Sequence, residues 1–198
     1  MAMAGHTGNH GGRRGHLWRR APWIAAAFLL LLPLVAMLFT DEMDWDETDF
    51  IVFGAMLFGA CGAWELAARM TANIAYRAAV AVALAAAFIL VWMNLAVGIV
   101  GSEDNPANLI YAGVLAVALL GSLMARFRPG GMALTLAATA LAQTLAGAIA
   151  VLAGWGSTGA NWPRVIVVLT AFFAALWLLS AWLFRRAGRG EVTADAVR

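Results

Sequence analysis

The segment AAVAVALAAAFILVWMNLAVGIV, residues 78–100, runs for 23 residues without a charged side chain. About 20 consecutive apolar residues are enough for an α-helix to cross the hydrocarbon core of a bilayer, so this segment predicts a membrane-spanning helix. Five more apolar stretches flank it, two before and three after. The six predicted spans are Pro22–Phe39, Phe50–Ala68, Ala78–Val100, Leu109–Ala125, Met132–Gly154 and Val165–Phe184.

The composition of the whole chain agrees with that prediction. Of its 198 residues, 63% are hydrophobic and 12% are charged, whereas a soluble domain carries about 25% charged residues. Six spans with short connections use most of the length and leave no room for a globular domain. We therefore predict an all-α fold, a polytopic membrane helix bundle with six transmembrane helices over residues 21–186. Residues 1–20 are predicted to be a disordered basic tail and residues 187–198 a flexible tail.

Arginine supplies all 13 fixed positive charges, since the chain contains no lysine. The arginines occupy alternate gaps between the spans, namely both tails and the connections 69–77 and 126–131. The intervening gaps hold eight carboxylates and a single arginine, Arg164. Positive charge concentrates on the cytoplasmic side of a bacterial inner membrane, so both termini are predicted to be cytoplasmic. The net charge of +2 gives no support for nucleic-acid binding.

Side-chain size differs between the spans and predicts how they pack. Spans three and five are rich in alanine, and small residues let helix backbones approach closely in lipid. We expect these two spans at the centre of the bundle, span six as a wall facing lipid, and consecutive helices as antiparallel neighbours. The large side chains of span six are Phe172, Phe173, Leu176, Trp177, Trp182 and Phe184.

A weak internal repeat relates residues 49–69 to residues 108–128. It is either a duplicated helical hairpin, in which spans two and three match spans four and five, or a coincidence among glycine- and alanine-rich helices. In the outer loops the repeat pairs Gly101-Ser102 with Gly156-Ser157.

A few polar side chains fall inside or beside the predicted spans. Glu65 is either a proton or cation site or the partner of Arg69 in a structural i, i+4 ion pair. An uncharged amide at membrane depth either binds a solute or bonds a neighbouring helix. If a solute pathway exists, we expect Asn94, Thr139 and Gln143 to line it. The candidate intramembrane polar site comprises Glu65, Asn94, Thr139, Gln143 and Thr144.

The first two outer loops are acidic. Their carboxylates either enrich cations at a pore mouth, dock a basic partner, or form a solvated loop. A calcium-binding loop is not predicted, because the sixth position counted from Asp44 is Asp49 rather than glycine. This candidate outer acidic surface consists of Asp41, Glu42, Asp44, Asp46, Glu47, Asp49, Glu103 and Asp104.

No cofactor, metal site or catalytic centre is predicted, and we expect the protein not to be an enzyme. The spans contain no histidine, which argues against intramembrane haem or copper ligation, and without lysine no Schiff base can form. The three histidines, His6, His10 and His16, lie in a glycine-rich tail that preorganises no site.

The run WMNLAVGIVGSEDNPANLI, residues 92–110, with ELAAR at 65–69 and AYRAAVAVALAAAF at 75–88, resembles a group of small bacterial polytopic inner-membrane proteins with a GSEDNPAN-type outer loop. The resemblance covers residues 40–150 approximately and is most specific at Gly101–Asn108. Because the group has no assigned activity, it implies only a recognition role for this loop. From the residues alone, Asn105-Pro106 predicts a tight turn, with Asn108 capping the next helix.

Two functions fit these features. Short loops, alanine-rich helices and the lack of a reactive constellation favour an accessory or scaffold subunit of a membrane protein complex. Its partners would be the lipid bilayer and other membrane subunits or further copies of itself. The alternative is a small transporter or channel for a cation or small solute, gathered by the outer carboxylates and passed near Asn94 and Gln143.

Overall fold

A computed structural model of the chain describes the backbone of residues 11–40, 45–159 and 161–195 and the side chains of residues 21–40, 45–159 and 161–190. Every regular element in this part of the chain is a helix, which confirms the all-α prediction. A 3-10 turn, Pro106–Leu109, leads into the fourth α-helix. The α-helices are α1 (Gly11–Ala36), α2 (Glu47–Met70), α3 (Ile74–Ala96), α4 (Ile110–Met124), α5 (Pro129–Leu152) and α6 (Arg164–Asp195).

Five of these helices, α2 to α6, are long and apolar enough to cross a membrane, with α4 counted together with the 3-10 turn. The apolar part of α1, Ala21–Ala36, is shorter. At 1.5 Å per residue it spans about 24 Å, against about 30 Å of hydrocarbon in a typical bilayer. Length and composition therefore support a multi-pass membrane protein, and the number of crossings stays a prediction.

Two helices extend into the predicted tails, since α1 begins at Gly11 and α6 continues to Asp195. Packing holds α6 at the first residue of the predicted tail. The Ala187 side chain is buried, and its carbonyl oxygen accepts a hydrogen bond from Asn73 Nδ2 at 3.3 Å. The same Asn73 caps α3, because its Oδ1 accepts from the backbone N–H groups of Ala75 and Tyr76 at 3.0 and 3.2 Å.

The contacts divide the chain into two compact units, the first ending at Leu66 and the second beginning at Ala67. The first unit contains α1 and most of α2. An aromatic contact joins these two helices, with the ring centroids of Trp23 and Phe58 5.6 Å apart.

Within the second unit the helices pack in the order α3, α6, α5, α4. Helix α6 lies between α3 and α5, whereas α3 and α4 scarcely touch although they follow each other in the chain. This order contradicts the expectation that every pair of consecutive helices packs together. It also gives α6, rather than α3, the central place beside α5.

The large side chains of α6 fill the space that small residues leave on its neighbours. Phe173, Trp177 and Phe184 are all buried, so the prediction of a lipid-facing wall is wrong for them, while Phe172 and Trp182 are exposed. Large residues packed against small ones allow the helices to approach closely. The buried alanines in the same core include Ala79 and Ala86 of α3 and Ala140, Ala146 and Ala150 of α5.

Candidate functional site

The buried face of α5 carries three polar side chains. Thr135, Thr139 and Gln143 recur every four residues, which places them on one side of the helix. Thr139 and Gln143 are completely buried, and the Thr139 hydroxyl donates to the carbonyl oxygen of Thr135 at 2.9 Å. Neither Nε2 nor Oε1 of Gln143 meets a hydrogen-bond partner within the described part of the chain. The interhelical hydrogen bond that was one alternative for Gln143 is therefore not made here.

Two facing helices place hydroxyl groups about one helical turn from this amide. The hydroxyls of Tyr111 of α4 and Thr170 of α6 interact with each other through a side-chain hydrogen bond, but its geometry is poor, and neither hydroxyl makes a better bond to any described residue. Thr170 packs against Gly147 of α5, where a Cβ would collide with its hydroxyl and methyl groups. Gly147 lies one turn beyond Gln143 on the same face, about 6 Å along the helix axis. We call Gln143, Tyr111 and Thr170 the polar site.

Leaving these groups unpaired carries a free-energy cost. Mutational data put the burial of a polar group without a hydrogen bond at roughly 1–3 kcal/mol, and the bilayer core offers no water in compensation. The amide of Gln143 alone carries two N–H donors and one carbonyl acceptor. A small molecule that bonds to these groups would remove the cost, so the arrangement suits ligand binding.

Asn94, predicted to line the same pathway, lies at another level. Its Nδ2 donates to the Leu90 carbonyl oxygen of its own helix at 2.7 Å. The register between α3 and α6 is fixed by the Ser180 hydroxyl, which donates to the Ala79 carbonyl oxygen at 2.7 Å. Residues can be counted from this bond along the antiparallel helices α3 and α6, and then from the contact of Thr170 with Gly147 along α6 and α5. The count places Asn94 about 13 Å along the axis from Gln143. The structure therefore does not bring the two amides together.

Thr144 lies on the exposed side of α5, and its hydroxyl donates to the Ala140 carbonyl oxygen at 2.9 Å. It does not belong to the polar site. Sequence reasoning missed Tyr111 and Thr170 instead. Both lie near the outer ends of their predicted spans, where an aromatic or hydroxyl side chain is ordinarily attributed to the membrane interface.

Glu65 has a hydrogen-bond partner within the first unit. Trp23 Nε1 donates to Glu65 Oε2 at 3.1 Å and so joins α1 to α2. The ion pair between Glu65 and Arg69 stays a prediction. Trp23 also borders an apolar groove of about 110 Å³, whose other lining residues are Ala26, Ala27, Leu30, Leu57 and Phe58.

The acidic surface is only partly described. Asp46 and Asp49 cap the start of α2 reciprocally, because each backbone N–H donates to the other's carboxylate at 3.1 and 3.0 Å. Glu47, Glu103 and Asp104 are exposed. No group of three metal-ligating side chains occurs among the residues whose placement is described. Asp41, Glu42, Asp44, His6, His10 and the side chain of His16 lie outside those residues.

Asn108 organises the loop between α3 and α4. Its Oδ1 accepts from the backbone N–H groups of Ile99 at 3.0 Å and Val100 at 2.9 Å, and its Nδ2 donates to the Ser102 carbonyl oxygen at 2.7 Å. The 3-10 turn before α4 is capped instead by Asn105, whose Oδ1 accepts from the N–H two residues later at 3.0 Å. The predicted role of Asn108 as a helix cap is therefore wrong.

The loop before α4 and the loop before α6 touch through the glycines that the internal repeat pairs. Gly101 and Gly156 have φ values of 80° and 72°, a region that favours glycine. A Cβ on Gly156 would lie 2.8 Å from the backbone nitrogen of Gly101, so only glycine allows this contact. The correspondence supports the repeat in the loops. The duplicated helical hairpin itself stays a prediction.

No protein-family model, curated protein or solved structure matches the chain. The resemblance to the group with the GSEDNPAN-type loop stays an expectation. Function is therefore inferred from the residues and their geometry.

Proposed function

We propose that this protein is a small transporter or channel, and that the polar site of the second unit is where its solute binds. The observation that supports this most is Gln143. Its amide is fully buried in the middle of α5, and its donors and acceptor find no partner among the described residues. Polar groups at membrane depth are expensive and mark solute pathways. One helical turn away, the hydroxyls of Tyr111 and Thr170 have only each other, in a bond of poor geometry.

The proposed setting is the bacterial inner membrane, with six spans and both termini in the cytoplasm. The positions of the arginines support it. Arg126 and Arg128, in the turn before α5, are exposed. The guanidinium of Arg186 lies 4.6 Å from the ring centroid of Trp182, a pairing that suits the headgroup region of a membrane.

Cysteine labelling on intact spheroplasts tests this orientation. The variants Thr48→Cys and Arg128→Cys are made in a Cys61→Ala background, which removes the native thiol. A membrane-impermeant thiol reagent is expected to label position 48 and to leave position 128 unlabelled until the membrane is opened. Labelling of position 128 alone would contradict the proposed topology.

Solute flux into proteoliposomes tests the function itself. Gln143→Leu replaces the amide by an apolar side chain of similar size. If the solute loses ~1.4 kcal/mol of binding free energy, its flux should fall about tenfold. Ser122→Ala is the matched control, because the Ser122 hydroxyl already donates to the Ala118 carbonyl oxygen of its own helix. Equal flux in wild type and Gln143→Leu would show that the polar site is not on the pathway.

A second proposed function is an accessory or scaffold subunit, which an exposed edge of the second unit supports. Helix α4 makes its main helix–helix contact with α5 and leaves Leu119, Leu120 and Leu123 exposed. Such a face suits another membrane subunit or a second copy of this chain as well as lipid. A native gel after mild solubilisation is expected to show a larger assembly in that case, whereas a solitary chain would argue against it.

A further inference from the structure

We infer that the solute of the polar site is a small neutral molecule that both donates and accepts hydrogen bonds, such as water, a short polyol or a small amide, and not a cation. The inference rests on the proposed function and narrows it. The sequence alone had left cations and neutral solutes as alternatives.

The polar site offers donors as well as acceptors. Gln143 Nε2 carries two N–H donors and its Oε1 accepts, while each hydroxyl of Tyr111 and Thr170 can do both. Trp177 adds a donor two turns from Thr170 on the same face of α6, since its buried Nε1–H has no partner in the described chain. Donors repel a cation, whereas a neutral molecule with hydroxyl or amide groups matches both kinds of group.

The helices around the site provide no counter-charge. Residues 110–124, 129–152 and 165–184 contain no aspartate, glutamate, histidine or arginine. A cation entering between α4, α5 and α6 would lose its hydration without an opposite charge to replace it, and this desolvation is unfavourable. A neutral solute loses much less on leaving water.

The oxygen atoms of the site are also too few for an ion. Gln143, Tyr111 and Thr170 contribute one side-chain oxygen each. Calcium takes about 6–8 oxygen ligands, and potassium filters use rings of backbone carbonyl groups. The carbonyl oxygens inside α4, α5 and α6 are already engaged in helical hydrogen bonds.

The spacing of the polar groups along α5 suits a solute of a few heavy atoms. Thr170 lies against Gly147, one helical turn or about 6 Å from Gln143 along α5. A molecule with two or three polar groups, of the size of urea or glycerol, can therefore reach both the amide and the hydroxyls. Water satisfies the same chemistry with more than one molecule.

The test uses the full chain in liposomes. Stopped-flow light scattering measures the permeability to water, glycerol and urea, and Rb⁺ uptake measures cation flux in the same vesicles. The variants are Gln143→Leu and Thr170→Val, with Ser122→Ala as control. Thr170→Val keeps the shape of the side chain, so it provides the test if Gln143→Leu does not give a monodisperse protein.

The expected result is permeability to at least one of the three neutral solutes above that of protein-free vesicles, with Rb⁺ uptake at the protein-free level. Each site variant should lower the neutral flux about tenfold, in line with the loss of one or two hydrogen bonds, and Ser122→Ala should not. Permeability to water alone would identify water as the solute. Permeability to glycerol or urea as well would identify a small organic solute.

Three outcomes would overturn the inference. Rb⁺ uptake that Gln143→Leu abolishes would show a cation pathway and leave the proposed function standing. Neutral flux that neither site variant changes would place the solute elsewhere in the protein. Vesicles that pass none of these solutes would remove the proposed function, and the inference with it.

Discussion

Two buried amides of the second unit, Asn108 and Gln143, are used in opposite ways. Asn108, in the loop before α4, makes three hydrogen bonds of 2.7–3.0 Å to backbone groups. Gln143, in the middle of α5, makes none with the described residues although it is as fully buried as any residue of the core. An irregular loop exposes backbone N–H and C=O groups that an amide can satisfy, whereas a helix has already paired them.

The difference separates a structural amide from a candidate binding amide. Asn108 supplies what the loop lacks, so its removal should damage the fold. Gln143 supplies hydrogen-bonding capacity that the fold does not use, so its removal should affect a ligand and leave the fold intact. Burial alone, which both residues share, does not distinguish the two roles.

The largest expected effect is that of Asn108→Ala. The substitution leaves the N–H groups of Ile99 and Val100 buried without an acceptor, and each such group costs about 1–3 kcal/mol. We expect the free energy of unfolding in detergent to fall by roughly 2–6 kcal/mol. Thermal or denaturant unfolding followed by circular dichroism measures it.

Asn105→Ala is the matched control for that measurement. Asn105 lies in the same loop but makes a single capping bond from a half-buried position, so its loss should cost about 1 kcal/mol. Equal stabilities of Asn108→Ala and Asn105→Ala would remove the structural role assigned to Asn108.

An intermediate effect is expected for Gly147→Ala, which probes the packing beside the polar site. The added methyl group would overlap the Thr170 side chain, and overpacking of a filled core costs about 1–3 kcal/mol. Stability should recover when Gly147→Ala is combined with Thr170→Ala, since the second change restores the space. If the double variant is no more stable than Gly147→Ala, α5 and α6 do not meet at these residues.

Much of the fold could be predicted from the sequence. Uninterrupted apolar length marks a membrane helix wherever it lies, and six α-helices occur at the six predicted stretches. The helix order could not be predicted, because Phe173 and Trp177 are equally suited to lipid and to the alanine-rich faces of α3 and α5. The reciprocal cap of Asp46 and Asp49 is present in the sequence as Asp-x-x-Asp before an apolar run, but from the sequence the acidic loop is interpreted only by its charge and by calcium-loop spacing.

The candidate site was predicted less completely. Gln143 could be found because an amide in the middle of an apolar span is unusual. Tyr111 and Thr170 could not, since their proximity depends on how α4 and α6 pack, which periodicity does not fix. The bond between Trp23 and Glu65 joins residues 42 positions apart, and no local pattern encodes it.

The smallest expected change in stability, and the only one in the opposite direction, is that of Gln143→Leu. Replacing an unpaired buried amide by an apolar side chain of similar volume removes a desolvation cost without removing a hydrogen bond within the protein. We expect the unfolding free energy to stay the same or to rise by about 1 kcal/mol, in the same assay that shows Asn108→Ala to be strongly destabilised. A loss of 2 kcal/mol or more, by the cost of breaking a buried polar contact, would mean that Gln143 is a structural amide like Asn108. Unchanged stability combined with lost flux would instead separate folding from solute binding at this one residue.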